Sequence, residues 1–228
     1  PRPREPGHNQ EGVNGGSRRP LDDAQFIIRT SDSQVMAQPE VPKEVAEAGL
    51  DDWYQTLSDP DRVKLRRYLA GIDTSSPQAF LVQLMGRATE DHNYGLSVTA
   101  GKYAETHEMD DYSRFVITEG YIEGLFGAER YDEAKEACAR NLDLFPLIRE
   151  RYLAENGGSL PKHMSCRNRL IDIVIGVESG YDMADEILTQ YVRMGLIDEE
   201  EKAYRLQSIK IHRMQKTFDN LFIYRPKE

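Results

Sequence analysis

The chain has 228 residues, enough for one large domain or two small ones. Hydrophobic residues make up 39% and charged residues 30%, which supports a real core beneath a solvated surface. The net charge of −10 argues against nucleic-acid binding by the body as a whole, and two cysteines without a CxxC spacing are too few for a disulfide framework.

The charge is unevenly spread. Residues 1–20 carry four arginines, Arg2, Arg4, Arg18 and Arg19, against two glutamates, so about +2. The last 27 residues carry seven Lys/Arg against Asp219 and Glu228, so about +5, which leaves about −17 on the body between. No run of 18 apolar residues exists, so no membrane association is expected. Residues 1–20 lack the apolar stretch of a signal peptide, and the two cysteines read as reduced, buried thiols. Together these features predict a cytoplasmic protein.

In chain order, residues 1–42 read as a tail and anchoring segment. The first 20 residues hold four Pro and four Gly and almost nothing apolar, too little to offset their ordering entropy. They are expected to be extended and to dock on a partner. Phe26, Ile27 and Ile28 form a short apolar run suited to a strand or an anchor, before Pro39 and Pro42 punctuate the chain.

Residues 43–228 read as helix after helix. "PKEVAEAGLDDWYQTL" has apolar residues at three- and four-residue spacing and reads as one amphipathic helix. "SDPDRVKLRRYLAG" and "SSPQAFLVQLMGRA" each open with cap residues and a first-turn proline. "HNYGLSVTAGKYAET" is a weaker helix, burdened by Gly95 and Gly101. "DYSRFVITEGYIEGLFG" follows, then "RYDEAKEACARNLDLF", which is expected to end at Pro146. "PLIRERYLAEN", "CRNRLIDIVIGVES" and "YDMADEILTQYVRMG" are further helices, and a last one is predicted from Asp198 to about Ile223. Strand signals are scarce, so the fold class is all-α.

"YDEAKEACARNLDLFP" resembles the second helix of a tetratricopeptide repeat, through Tyr131, Asp132, Glu133, Ala134, Leu142, Leu144 and Pro146. The resemblance implies that Tyr131 plugs a hairpin corner, that small Ala134 lets the paired helix approach, and that Pro146 ends the helix. Ile122 stands where the family has a small residue. A looser echo, "GYDMADEILTQYV", places Tyr181, Asp182 and Ala184 opposite Tyr131, Asp132 and Ala134. The 50-residue interval exceeds the family's period of about 34, and "PLIRERYLAENGGSLPKH" reads as an insertion. The implied architecture is an α-solenoid, a TPR-like stack of antiparallel helical hairpins with irregular repeats. Ordinary capping and packing in an α-bundle would give the same local pattern.

Catalytic signals are sparse, and no catalytic residue is assigned. His163-x-x-Cys166 would need two further ligands to hold a metal, so neither metal nor small-molecule cofactor is expected. Adjacent Glu90, Asp91 and His92 point in different directions on a helix and read as a turn. The last helix gathers Ala203, Ile211, Met214, Phe218, Leu221 and Phe222 on one face, with Lys202, Arg205, His212, Arg213 and Lys216 opposite. The plain expectation is a capping helix, apolar face inward and basic face solvated. The functional one is that Lys202, Arg205, Arg213 and Lys216, with the tail arginines, meet an anionic partner. Three functions stay open: a protein–protein interaction module serving as adaptor or accessory subunit, an RNA- or ribosome-associated factor using the basic ends, and an enzyme with its site in a helical groove.

Overall fold

The computed structural model describes residues 39–223, with side chains to Asp219. Arg2, Arg4, Arg18, Arg19, Phe26, Ile27 and Ile28 lie outside the described residues. Among those described, ten α-helices and no strand occur.

The first expected helix is two. Helix α1 (Lys43–Glu47) and α2 (Asp51–Thr56) are separated at Gly49, whose φ of +70° turns the chain. Without that residue the apolar rhythm would run on; with it, Val45, Leu50, Trp53 and Tyr54 are all buried around the bend. Helix α3 (Asp59–Leu65) is capped by Ser58, which accepts from the Asp61 N–H, and runs into a 3-10 turn at Arg66–Tyr68. Helix α4 (Pro77–Glu90) is capped by Ser76 in the same way.

Helices α5 (Tyr94–Glu105), α6 (Asp111–Gly127), α7 (Tyr131–Glu155), α8 (Ser165–Asp172), α9 (Tyr181–Arg193) and α10 (Glu199–Ile223) complete the chain. The expected helix end at Pro146 is not there. Pro146 lies inside α7, a 25-residue helix that absorbs the supposed separate helix "PLIRERYLAEN". Proline removes the bond to the Leu142 carbonyl. The buried stripe nevertheless continues through Phe145, Ile148 and Tyr152, and the Phe115 ring packs 5.1 Å from Tyr152 and 6.1 Å from Phe145. Packing along both halves outweighs one lost hydrogen bond, and Pro146 itself stays on the exposed side.

Three helical hairpins, α4–α5, α6–α7 and α8–α9, turn through the same corner. His92, Glu129 and Ser179 have φ of 58°, 58° and 56°, and each stands two residues before a tyrosine that opens the second helix. The residues between them, Asn93, Arg130 and Gly180, share φ near −85° and ψ near 60° (−89°/58°, −88°/62° and −81°/59°). In each corner the latter N–H reaches back to close the first helix: Asn93 to the Ala88 carbonyl (2.7 Å), Arg130 to Leu125 (2.9 Å), Gly180 to Val174 (2.8 Å). The third bond spans one residue more, because α8 continues as a π-helical segment, Ile173–Val177, that carries an extra residue.

The residue three beyond each tyrosine is small and fully buried: Ser97, Ala134 and Ala184. At the first of them α5 and α6 come close. A Cβ on Gly124 would lie 2.6 Å from Ser97 Oγ, so only glycine fits. Neighbouring helices pack in chain order from α4 to α10, and the first helices of the hairpins also touch, α4 on α6 and α6 on α8. One core runs through all of these helices.

Candidate interaction surfaces

The α9–α10 edge holds the predicted basic residues and reverses the expected orientation of α10. Asp198 caps α10, accepting from the Glu201 N–H at 2.7 Å. From there α10 runs antiparallel to α9 with its basic side turned inward. Lys202 Nζ donates to Thr189 Oγ1 (2.9 Å) and stands 3.9 Å from Asp185. Arg213 lies 3.7 Å from Asp182, with its guanidinium 5.4 Å over the Tyr181 ring. Lys216 Nζ donates to Ser179 Oγ at 2.6 Å. Arg205 pairs with Glu201 one turn back, its two nitrogens 3.0 and 2.5 Å from Glu201 Oε1. Ile209 is buried between these groups and Leu206 is half-buried.

The face expected to cap the core therefore points out: Ile211 is 49% exposed, Met214 59% and Phe218 56%, with Tyr204 beside them at 71%, while the side chains of Leu221 and Phe222 lie outside those described. The reason lies in α9. Its apolar side, Ala184, Leu188 and Tyr191, is spent on the core, and the side left for α10 carries Asp182, Asp185 and Thr189. Burying the apolar side of α10 against those carboxylates would desolvate them without partners.

Of the residues that carry the resemblance, Pro146 lies within α7 and the others pack as follows. Tyr131 is half-buried, its ring edge-on to Phe126 at 5.7 Å, and Ala134 and Ala184 are fully buried. Tyr181 lies under the Arg213 guanidinium, with the His212 ring tilted against it at 6.2 Å.

Two polar nodes tie the second and third hairpins together, and neither was foreseen. Glu119 of α6 accepts from Asn141 Nδ2 of α7 (2.8 Å), from the Cys166 N–H (3.1 Å) and from the Ser165 N–H. It thereby serves the free N–H groups at the start of α8, which has no side-chain cap of its own. Desolvation pushes the Glu119 carboxyl above the usual range against these donors. Beside it, Glu123 receives Arg169 through a two-pronged contact (2.9–3.1 Å) and His163 at 2.9 Å. Burial pushes Glu123 up, but the Arg169 bonds and charge outweigh it and hold the carboxyl below its ordinary value. The only sequence hint was a Glu four residues from another Glu on one helix, which is not distinctive.

His163 and Cys166 are thus occupied by different carboxylates. No group of three or more His, Cys, Asp or Glu suited to a metal occurs among the described residues. Cys138 and Cys166 are buried, and desolvation pushes their thiols well up, which disfavours the thiolate. His92 forms a turn, with Nδ1 2.6 Å from the Tyr94 hydroxyl.

A groove of about 310 Å³ opens between α4 and α6. Ala79, Val82, Val116 and Ile117 line it, Gln78 and Gln83 edge it, and Arg151 closes one end with its guanidinium 4.0 Å over the Tyr112 ring. The Tyr112 hydroxyl donates to Glu155, and burial together with that carboxylate pushes it up to about 12. Among the described residues no helix is long and apolar enough to cross a membrane.

Among the described residues the protein is all-helical, its helices packed on one another. Compared with family models, with curated proteins and with solved structures, the chain matches none.

Proposed function

We propose that the chain is a non-catalytic protein–protein interaction module, an adaptor or accessory subunit of a larger assembly, built on tetratricopeptide-like hairpins. The observation that supports this reading is the corner repeated at His92, Glu129 and Ser179, with contact between α4, α6 and α8. Recurrent corners set successive hairpins at similar angles, and their first helices then offer one continuous face for an extended or helical ligand. The α4–α6 groove lies on that face. Its apolar walls suit an apolar side chain of such a ligand, while Arg151 at its end is already paired with Glu155 (3.0 Å) and Asp110 (3.6 Å).

The reading with an anionic RNA partner draws less support. Lys202, Arg205 and Lys216 are engaged within the chain, so those charges would have to be withdrawn from α9 or Glu201 first. Pull-down from native lysate with the tagged chain tests the reading. A partner retained after nuclease treatment and lost with Val82→Glu/Val116→Glu is expected. A partner released by nuclease, or one indifferent to the groove substitutions, would refute it.

A further inference from the structure

We propose that α10 pairs with α10 of a second copy of this chain, the two helices antiparallel about a two-fold axis between Ile211 and Met214. Three observations carry it. First, the outward face follows a heptad: Tyr204, Gln207, Ile211, Met214 and Phe218 alternate at spacings of three and four. That is the seam of a two-helix coiled coil, with a period of 3.5 that winds left-handed. A helix whose only task is to close a stack of hairpins presents a polar outer face, and α10 presents the reverse.

Second, the area suits a self-pair. With ~200 Å² for each whole side chain, the four exposures leave roughly 470 Å² open per copy, so two copies hide about 900–1,000 Å² before their flanks are counted. The flanks need add only about 200–300 Å² to reach the lower bound of specific interfaces, about 1,200 Å².

Third, charge selects the occupant and the orientation. The chain carries −10, but α10 holds five Lys/Arg against four Asp/Glu and is close to neutral. Two copies can meet along α10 without opposing their acidic bodies. Parallel pairing would set Glu200 against Glu200, because Glu200 falls in register with Gln207 and Met214. Antiparallel pairing sends the two acidic first turns to opposite ends and opposes the helix dipoles. It also continues the alternation in which α10 already runs against α9. Ile211 then faces Met214, and Gln207 faces Phe218, where its amide reaches solvent past the ring edge.

Sedimentation velocity on the full chain between about 1 and 100 μM tests the proposal. The expected species has twice the chain's mass of 26.1 kDa. Ile211→Glu/Met214→Glu should raise the dimer dissociation constant at least about a hundredfold. Far-UV circular dichroism should not change, since both side chains are exposed. A monomer throughout that range overturns the proposal, as does a dimer indifferent to the double substitution. For orientation, Gln207→Cys and Phe218→Cys chains are mixed and oxidised. A mixed disulfide between them is expected. Efficient self-linking of Gln207→Cys alone overturns the antiparallel arrangement.

Discussion

Arg167 provides the sharpest test of how the third hairpin is held. Arg167 is only 3% exposed, and among the described residues no carboxylate lies within ion-pair distance of it. Carbonyls take its place: Nη1 donates to Leu196 (2.9 Å), Nη2 to Lys162 (2.6 Å) and Pro161 (3.2 Å). One guanidinium thus joins the loop before α8 to the turn between α9 and α10. Arg167→Met keeps the length and apolar stem and removes the fork. Each bond from a charged donor is worth about 1.5–3 kcal/mol, and each orphaned carbonyl costs about 1–3. Two effects reduce the loss. The charge no longer has to be desolvated, and the cleft lined by Leu160, Pro161, Lys162 and Leu196 lets water reach the carbonyls. We therefore expect a net loss of about 2–4 kcal/mol, or a fall of about 5–15 °C in Tm for a chain of this size. Urea titration followed by circular dichroism at constant m measures it. Arg167→Lys, which keeps the charge without the planar fork, should fall between. A Met variant within about 0.5 kcal/mol of wild type would show that the carbonyls are solvated and that Arg167 ties nothing.

Gly124→Ala should destabilise by about 1 kcal/mol. The ~1 kcal/mol gained in helix propensity is outweighed by overpacking against Ser97 Oγ at 2.6 Å and the Val98 nitrogen at 3.3 Å. Adding Ser97→Gly should recover part of the loss, and a stabilised single variant would mean that α5 and α6 part freely. Pro146→Ala should raise stability by about 1–3 kcal/mol in thermal denaturation, because it restores an N–H for the Leu142 carbonyl. An unchanged midpoint would show that the α7 backbone is too displaced at that turn to use the donor. Glu119 gives a pH test. Its folded-state value is raised, so between the ordinary carboxylate range and that value the native chain keeps a proton that the unfolded chain has lost. Stability from this group is therefore full below that window and falls as pH rises through it. Urea melts from about pH 4 to pH 7 should show wild type losing stability relative to Glu119→Gln. The opposite slope would mean that the three N–H donors outweigh desolvation.

Much of the fold was legible because its signals are local. Ser76, Asp198 and the first-turn prolines mark helix starts whatever surrounds them, and α4, α6, α9 and α10 fall where capping and spacing place them. Two boundaries failed where a local rule met a longer-range one. Gly49 broke a helix that periodicity alone would continue. Pro146 failed to end one, because the Phe115–Phe145–Tyr152 cluster holds both halves of α7. The first hairpin was missed as a repeat although Tyr94-x-x-Ser97 carries the same spacing as Tyr131-x-x-Ala134. Serine is rarer than alanine at a close approach, and the glycines of α5 pointed to weakness when one of them, Gly101, makes room for Tyr121.

The surfaces were harder to read than the helices, and α10 shows why. An amphipathic pattern locates an apolar face and says nothing about its direction. Direction follows from what the neighbouring helix has left to offer. Once Ala184, Leu188 and Tyr191 are committed to the core, α9 can present only Ser179 beyond its end, Asp182, Asp185 and Thr189, and a basic helix face is their complement. That choice has an energetic consequence. Exposed ion pairs contribute about 0–1 kcal/mol each, so α10 rests on Ile209, Leu206 and a handful of weak pairs. Covering Tyr204, Ile211, Met214 and Phe218 would add apolar burial to that hold. The inward basic face sets the orientation from which the outward stripe can pair.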